Sequence, residues 1–330
     1  MDVLILGGTA WLGRVVAEQA VTAGHSVTCL ARGESGPPPV GVEHVRADRS
    51  DASAYDSVGR RSWDWVVEVS WQPRWVREAL AALASRAAHW TYVSSGNVYA
   101  RHDSVGADES ASLLTATDAD RATTDLYGEA KVACENFTRG AIGQRMLIAR
   151  AGLIGGPGDI SGRSGYWVAR AARDQLAPML IPDTPDVPTQ VVDVRDLARW
   201  LVASAEARLV GTFNAVGPVV PFGHWIDLAR AAAGHTGPVI PAPAQWLLDH
   251  GVAQYMGAES LPMWMVEPSY AGWSARSGEA AAQAGLSHRP RAALQHDVLQ
   301  WEQSQGLNRS RRCGLSTDKE LQLLQELAAA

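Results

Sequence analysis

Apolar and polar positions alternate along this chain with two different periods. Strand-length segments fall at 2–6, 26–30, 43–46, 65–69, 89–94 and 146–150, most of them rich in apolar residues. Apart from 43–46 they lack the regular polar alternation of a sheet with one wet face, so strands buried on both sides are expected. Between most of them apolar residues recur three and four apart, as in Leu12, Val15, Val16 and Ala20, before Gly24 offers a helix C-cap. Strand and helix in alternation predict an α/β fold with a doubly wound parallel sheet. The alternation holds to about residue 154. Beyond it Gly155, Gly156, Pro157 and Gly158, then Pro178, Pro182, Pro185 and Pro188, mark a loop-rich texture. The apolar segments 190–193 and 211–214 are expected to return to the first domain. The organisation read from this is a first domain over 1–155, joined by about 190–216, a smaller domain from 156–189 and 217–300, and a helical tail over 301–330. The tail helix opens on the capping-box pattern Thr317-Asp318-Lys319-Glu320 ahead of Leu321, Leu324 and Leu327, so it is expected to dock rather than float. No internal repeat is visible.

Three segments add chemistry to this frame. The first apolar run ends in Gly7-Gly8-Thr9-Ala10-Trp11-Leu12-Gly13-Arg14. Strand, glycine turn and helix together aim helix N-terminal amides at a phosphate. Ala10 stands where a third glycine is usual, and a methyl group is small enough for close backbone approach. Such a turn also serves as a sharp entry into any α/β helix, but its place after the first strand favours a dinucleotide pyrophosphate. Second, Trp90-Thr91-Tyr92-Val93-Ser94-Ser95-Gly96 reads as a buried strand releasing two hydroxyls where parallel sheets bind ligands. Third, Tyr127 and Lys131 lie four apart on a helical stretch, which puts phenol and ammonium on one face. A free phenol titrates near ~10, and an adjacent cation favours its phenolate. Alone, the pair reads as a half-buried Tyr and a solvated Lys; together with the other two segments it reads as a proton-transfer device.

In this order the segments resemble the extended short-chain dehydrogenase/reductase family, of the NAD-dependent epimerase/dehydratase type. The resemblance rests also on Ala47-Asp48-Arg49-Ser50-Asp51, on 64–69, on Val98-Tyr99, on Tyr127-Gly128 with Glu135, on Gly155-Gly156-Pro157-Gly158 and on 192–198. It covers the first two thirds well and the remainder loosely. It implies a Rossmann-type fold with a smaller C-terminal substrate-binding domain. Tyr127 is implied as catalytic acid/base, Lys131 as the holder of the nicotinamide ribose, and Ser95 as the hydroxyl that orients a substrate carbonyl. The implied cofactor contacts are Gly7, Thr9, Ala10, Trp11, Leu12, Gly13, Arg14, Arg32, Asp48, Arg49, Ser70, Gln72 and Lys131, with Asp48 on the adenine amino group. Two positions are set against the family pattern: Glu68, where a small or acidic residue is often found, and Ala151 after Arg150, where proline is common. Many members pair through the 76–86 segment and the helix of Tyr127, so a homodimer is expected.

The end of the second strand bears on the cofactor. NAD enzymes place an acid there for the ribose 2'-hydroxyl, whereas this chain reads Leu30-Ala31-Arg32-Gly33-Glu34. Arg32, helped by Arg14, suits a 2'-phosphate, so NADP is favoured; Glu34 keeps NAD open.

Composition narrows the class. A net charge of -6 and a pI near 5.8 speak against nucleic acid as a partner. No apolar run approaches the ~18 residues of a membrane span, and a strand that begins by residue 3 leaves no room for a signal peptide, so a cytoplasmic location is expected. Neither the three cysteines nor the nine histidines show ligand spacing, and no metal is expected. Thirteen tryptophans against three phenylalanines suggest that Trp fills core positions, although Trp167, Trp264 and Trp273 also read as a flat substrate wall amid Gly, Pro and Met. Ser95, Tyr166, Trp167, Arg170 and Trp264 are the substrate candidates.

The resulting expectation is an NADPH-dependent reductase of a carbonyl or imine in a small organic molecule. Two alternatives stand beside it. One is a sugar-nucleotide epimerase or dehydratase with tightly bound NAD, gripping a diphosphate with Arg163, Arg170 and Arg195. The other is a non-catalytic dinucleotide sensor or RNA-associated protein.

Overall fold

The structure, a computed structural model, describes residues 1–329. The central sheet takes β1 (Asp2–Leu6), β2 (Ser26–Ala31), β3 (Val42–Arg46), β4 (Trp63–Glu68), β5 (Ala87–Ser95) and β6 (Met146–Ala151) from the first half of the chain. A late strand, Gly211–Ala215, adds beside β6, and the seven run parallel in the order late strand, β6, β5, β4, β1, β2, β3. The order reverses at β1, and α/β sheets bind ligands at such a switch point, beyond the strand C-termini.

The apolar richness of the central strands follows from helices on both faces. Val3 and Ile5 of β1 point into a core shared with Val16, Ala17 and Ala20 of α1 (Trp11–Thr22). Leu4 and Leu6 point the other way, into a core shared with Val76, Ala79, Leu80 and Leu83 of α2 (Pro73–Leu83). On that second face Cys134 and Ile142 of α3 (Tyr127–Ile142) also pack, and α3 lies along α2.

The smaller domain starts with β7 (Leu153–Gly155) and α4 (Tyr166–Arg173), followed by β8 (Met179–Pro182), β9 (Pro188–Asp193), α5 (Val194–Glu206), β10 (the late strand Gly211–Ala215) and β11 (Val219–Pro221). Of the two segments expected to return to the first domain, β10 joins its sheet, while β9 pairs with β7 and β11 in a separate sheet and places Val192 in the core shared by β1 and α1. The link back to the first domain is α5, which lies against α1. After α6 (Phe222–Ala233), β12 (Val239–Ala242) pairs with β8; α7 (Ala244–Asp249), the paired strands β13 (Ala253–Tyr255) and β14 (Ser260–Pro262), α8 (Glu279–Gln283), α9 (Arg291–Gln305) and α10 (Thr317–Ala329) complete the chain.

Trp167, Trp225, Trp264, Phe222 and Met263 form the centre of this domain's core. The substrate wall read from the sequence is therefore corrected: Trp167 and Trp264 are fully buried and Tyr166 is 3% exposed. Both indoles are satisfied inside, Trp167 donating to the Pro262 carbonyl at 2.9 Å and Trp264 to the Thr184 hydroxyl at 2.9 Å. Arg170, the fourth substrate candidate from this domain, is buried in an ion pair with Glu320 of α10. The tail does dock, though by a different device from the expected capping box. Ser316 is the cap, its hydroxyl accepting from the Lys319 amide at 3.1 Å, and Glu320 turns inward to Arg170 and Arg173 instead of back along the helix. Two buried or half-buried guanidinium groups outweigh one exposed backbone amide as partners for a carboxylate.

Candidate active site

Gly7 takes a left-handed φ of +94°, which turns the chain out of β1. Gly13 is held to glycine by space, since an added Cβ would lie 2.4 Å from the Gly7 carbonyl oxygen. Helix and strand thus meet closely enough for the start of α1 to face the sheet's C-terminal edge. That helix begins at Ala10 with no side-chain cap and no acid in its first turn, so its leading amides are free for an anion. A cleft of about 250 Å³ opens beside it, lined by Gly7, Thr9, Ala10, Arg32, Asp48, Arg49 and Ser70 among others. An uncapped helix end above a glycine turn fits a dinucleotide pyrophosphate, and the lining from β2 and β3 fits its adenosine half.

The remaining cofactor candidates lie elsewhere or are otherwise engaged. Trp11 reaches across to the smaller domain, its indole donating to the Pro157 carbonyl at 2.8 Å. Leu12 packs against the α1 core. Arg14 donates to the Pro37 carbonyl. Gln72 clasps Ala122, giving to its carbonyl and accepting from its amide, both at 3.0 Å, and so pins the loop before α3. Arg49 lines the cleft, but its donors are committed to Glu68, the Tyr55 hydroxyl and the Trp75 carbonyl. It is a tie between β4 and α2 rather than a free cofactor contact, because a buried Glu68 requires a cation. Arg32 remains half-exposed at the cleft, 3.0 Å from Glu34 and 4.0 Å from Asp48.

Ser95 ends β5, and Tyr127 begins α3. The two elements meet at Gly128, where an added Cβ would meet the Asn97 carbonyl oxygen at 2.4 Å, so the turn after Ser95 rests directly on the first turn of α3. The Ser95 hydroxyl donates to Asn97 Oδ1 at 2.8 Å and accepts from the Asn97 amide at 3.2 Å. Ser94 points the opposite way, as strand alternation requires, and donates to Glu135 at 2.6 Å. Glu135 also holds Arg150 through two bonds of 3.0 and 2.9 Å. Burial pushes the Glu135 carboxyl up, but Arg150, Ser94 and Arg139 together hold it below the usual carboxylate range.

Lys131 is 3% exposed. Its ammonium donates to the carbonyls of Val93 at 2.7 Å and Ser70 at 3.1 Å, with Val69 at 3.5 Å, and lies 4.8 Å from the centre of the Tyr92 ring. The ammonium that the spacing sets beside the phenol rests on the strand-end carbonyls, and the Tyr127 ring packs 5.4 Å from Trp71. Ser70 and Trp71 line the cleft too, so one loop after β4 links Lys131 and Tyr127 to the glycine turn.

Sequence reading missed several participants. Trp71 carried no motif. Arg276 is 4% exposed, with its guanidinium carbon 3.9 Å from the Tyr99 ring and with Nε and Nη1 lacking any acceptor. The Gln190 carboxamide fixes its backbone through bonds of 2.8 and 3.1 Å. Burial and then Arg276 push the His102 imidazole down to about 4. Trp273 meets His102 edge-on at 4.6 Å and is half-buried, which leaves it as aromatic surface while Trp167 and Trp264 are core. Only a long-range contact, invisible in a linear motif, assembles this group. No group of metal-ligating side chains occurs among the described residues, and no helix is long and apolar enough to cross a membrane.

A family model for the NAD dependent epimerase/dehydratase family matches residues 3–215. Among solved structures, the chain resembles an epimerase from Methanothermobacter thermautotrophicus, with a TM-score of 0.65, 16% identity and 92% of each chain covered. It resembles UDP-N-acetylglucosamine 4-epimerase from Bacillus cereus at a TM-score of 0.63 and 16% identity, over 91% of this chain and 98% of that one. It also resembles the UDP-glucose 4-epimerase of Thermus thermophilus solved with NAD, at 0.61 and 17%, over 92% and 99%. At these identities the likeness is one of fold. A search of the curated proteins finds no match.

Proposed function

The chain belongs to the NAD dependent epimerase/dehydratase family, an NAD-dependent enzyme class, and on that premise we propose that it reduces a carbonyl or imine group of a small organic substrate, with NADPH as donor. Bound in the cleft, the dinucleotide would supply a hydride from its nicotinamide ring to the substrate carbon. Tyr127 gives the proton that the substrate oxygen or nitrogen needs, and the Ser95 hydroxyl stabilises the charge that develops there. Lys131, anchored on three strand-end carbonyls, keeps a fixed positive charge behind the pair. The observation that supports this reading is the close seat of the Ser95–Asn97 turn on Gly128, which puts the end of β5 against the first turn of α3, where Tyr127 stands.

Arg32 supports NADPH. Its exposed pair with Glu34 is worth about 0–1 kcal/mol, and a hydrogen bond to a charged phosphate about 1.5–3 kcal/mol, so a 2'-phosphate displaces the glutamate.

Against a sugar nucleotide, two of the three cations suited to a diphosphate are engaged: Arg170 with Glu320, and Arg195 with Asp193 and Asp297. The second reading, an epimerase with retained NAD, draws on the names of the structural relatives and on Arg276, whose free donors suit a phosphate. Purified protein separates the two. Consumption of added, freely exchanging NADPH with simple ketones, aldehydes or cyclic imines supports the reductase. NAD that survives gel filtration, with interconversion of UDP-hexoses and no net NADPH use, sinks it.

A further inference from the structure

We propose that a second cavity, walled by α4 and by the segment leading into α10, binds a small phosphomonoester. It encloses about 490 Å³ and shares no lining residue with the dinucleotide cleft, so it does not depend on the reductase reading. Arg170 and Arg173 line it from α4, and Arg309 and Arg311 from the connecting segment; Glu259 is the one carboxylate among the lining residues, and it accepts from the Ser316 amide at 3.0 Å.

Two further carboxylates stand behind this wall, and each serves two cations. Glu320 takes Arg170, with Arg173 at 3.3 Å, while Glu302 takes Arg309 at 2.9 Å and Arg311 at 2.8 Å. That sharing leaves donors over. Arg170 Nη1, Arg309 Nε and both Nη atoms of Arg311 are buried with no acceptor, the Arg311 Nη1 contact with Glu302 being close but off the hydrogen-bond axis. Glu302 Oε1, also without a partner, is turned toward Gly165, where an added Cβ would meet it at 2.2 Å. These nitrogens have almost no accessible surface and stand behind the wall, where they hold its positive charge; the guanidinium groups that an anion in the cavity can reach are those of Arg173 and Arg309, whose side chains are 21% and 27% exposed.

The shape fits the same ligand class. Phosphate offers three acceptor oxygens to several planar forks, which a single carboxylate does not. Ser316 and Thr317, at the start of α10, also line the cavity and add two hydroxyls, while Asp318 and Glu320 in the first turn offset the positive end of the helix. The volume exceeds what a bare ion fills and falls in the ~300–1,000 Å³ range of small-molecule pockets. Leu307, Leu315, Ala169 and Ala258 supply apolar wall for the organic part.

The test is a thermal melt of the full-length protein titrated with inorganic phosphate and with phenyl phosphate at constant ionic strength, with and without saturating dinucleotide. A saturable rise in melting midpoint is expected for both, persisting when dinucleotide is present, with phenyl phosphate acting at lower concentration. Arg309→Gln with Arg311→Gln should raise the half-saturating concentration at least tenfold. If that pair melts without cooperativity, Arg173→Gln, whose side chain is 21% exposed, should move the midpoint in the same direction. A response no larger than that to chloride, one abolished by dinucleotide, or one unchanged in the variants overturns the proposal. Phenyl phosphate acting no better than inorganic phosphate overturns the monoester assignment.

Discussion

Tyr127 is the side chain whose chemistry is easiest to isolate, because its hydroxyl can be removed while the ring stays against Trp71. Tyr127→Phe is expected to lower turnover by the ~10² to 10⁴-fold of a general acid, with dinucleotide affinity unchanged in a fluorescence titration. Retention of more than half the rate would take the residue out of the mechanism. Arg32 acts on binding alone. Arg32→Ala should weaken NADPH by about 1.5–3 kcal/mol relative to NADH, measured as the ratio of the two dissociation constants. An unchanged ratio would mean that Glu34 and Asp48, close beside it, leave no role for a 2'-phosphate.

Two elements carry predictions of their own. The first turn of α3 lies against the Asn97 carbonyl so closely that Gly128→Ala must push the Ser95 turn away from Tyr127. Overpacking of this kind costs ~1–3 kcal/mol, and the expected signature is a loss of turnover larger than the fall in melting midpoint accounts for. Full activity in that variant would show that the two need not touch. Strand β5 carries His89, 2% exposed, whose imidazole burial and then Arg208 push down to about 4. Below the ordinary histidine value near ~6.5 the unfolded chain takes up a proton that the folded strand refuses until about 4, so stability is full above that value and is lost as the pH falls through this window. The effect is on the order of 2 kcal/mol at pH 4.5, and His89→Gln should shrink the difference in unfolding free energy between pH 7.5 and 4.5. A difference of undiminished size would assign the acid sensitivity to other groups. Strands such as β5 were legible in the sequence because helices cover both faces, which favours apolar residues on both. The seat of Ser95 on Gly128 was not, since its cause is a backbone contact 31 residues away that leaves no periodic trace.

Across the whole molecule, the legible half is the one built from neighbours in sequence. The glycine turn, the alternation of strand and helix and the hydroxyl at the end of β5 follow from local patterns. The smaller domain is assembled from distant pieces, such as Trp167 on Pro262, and its aromatic and cationic residues resemble pocket chemistry until their partners are known. Glu320 is one such partner. Glu320→Gln should lower stability by ~3–5 kcal/mol, as when one member of a buried ion pair is removed. Asp103→Asn, breaking the exposed Arg101 pair, should move it by less than ~1 kcal/mol. Comparable melting shifts in the two variants would contradict the burial of the first pair. The distance between Arg170 and Glu320 has a consequence for how the protein is made. They are 150 residues apart, and translation proceeds at ~5–20 residues per second. On the ribosome Arg170 therefore waits roughly 8 to 30 s for its counter-ion. Through that interval the guanidinium lacks the carboxylate that allows its burial, so this side of the smaller domain's core is completed only once α10 has been made.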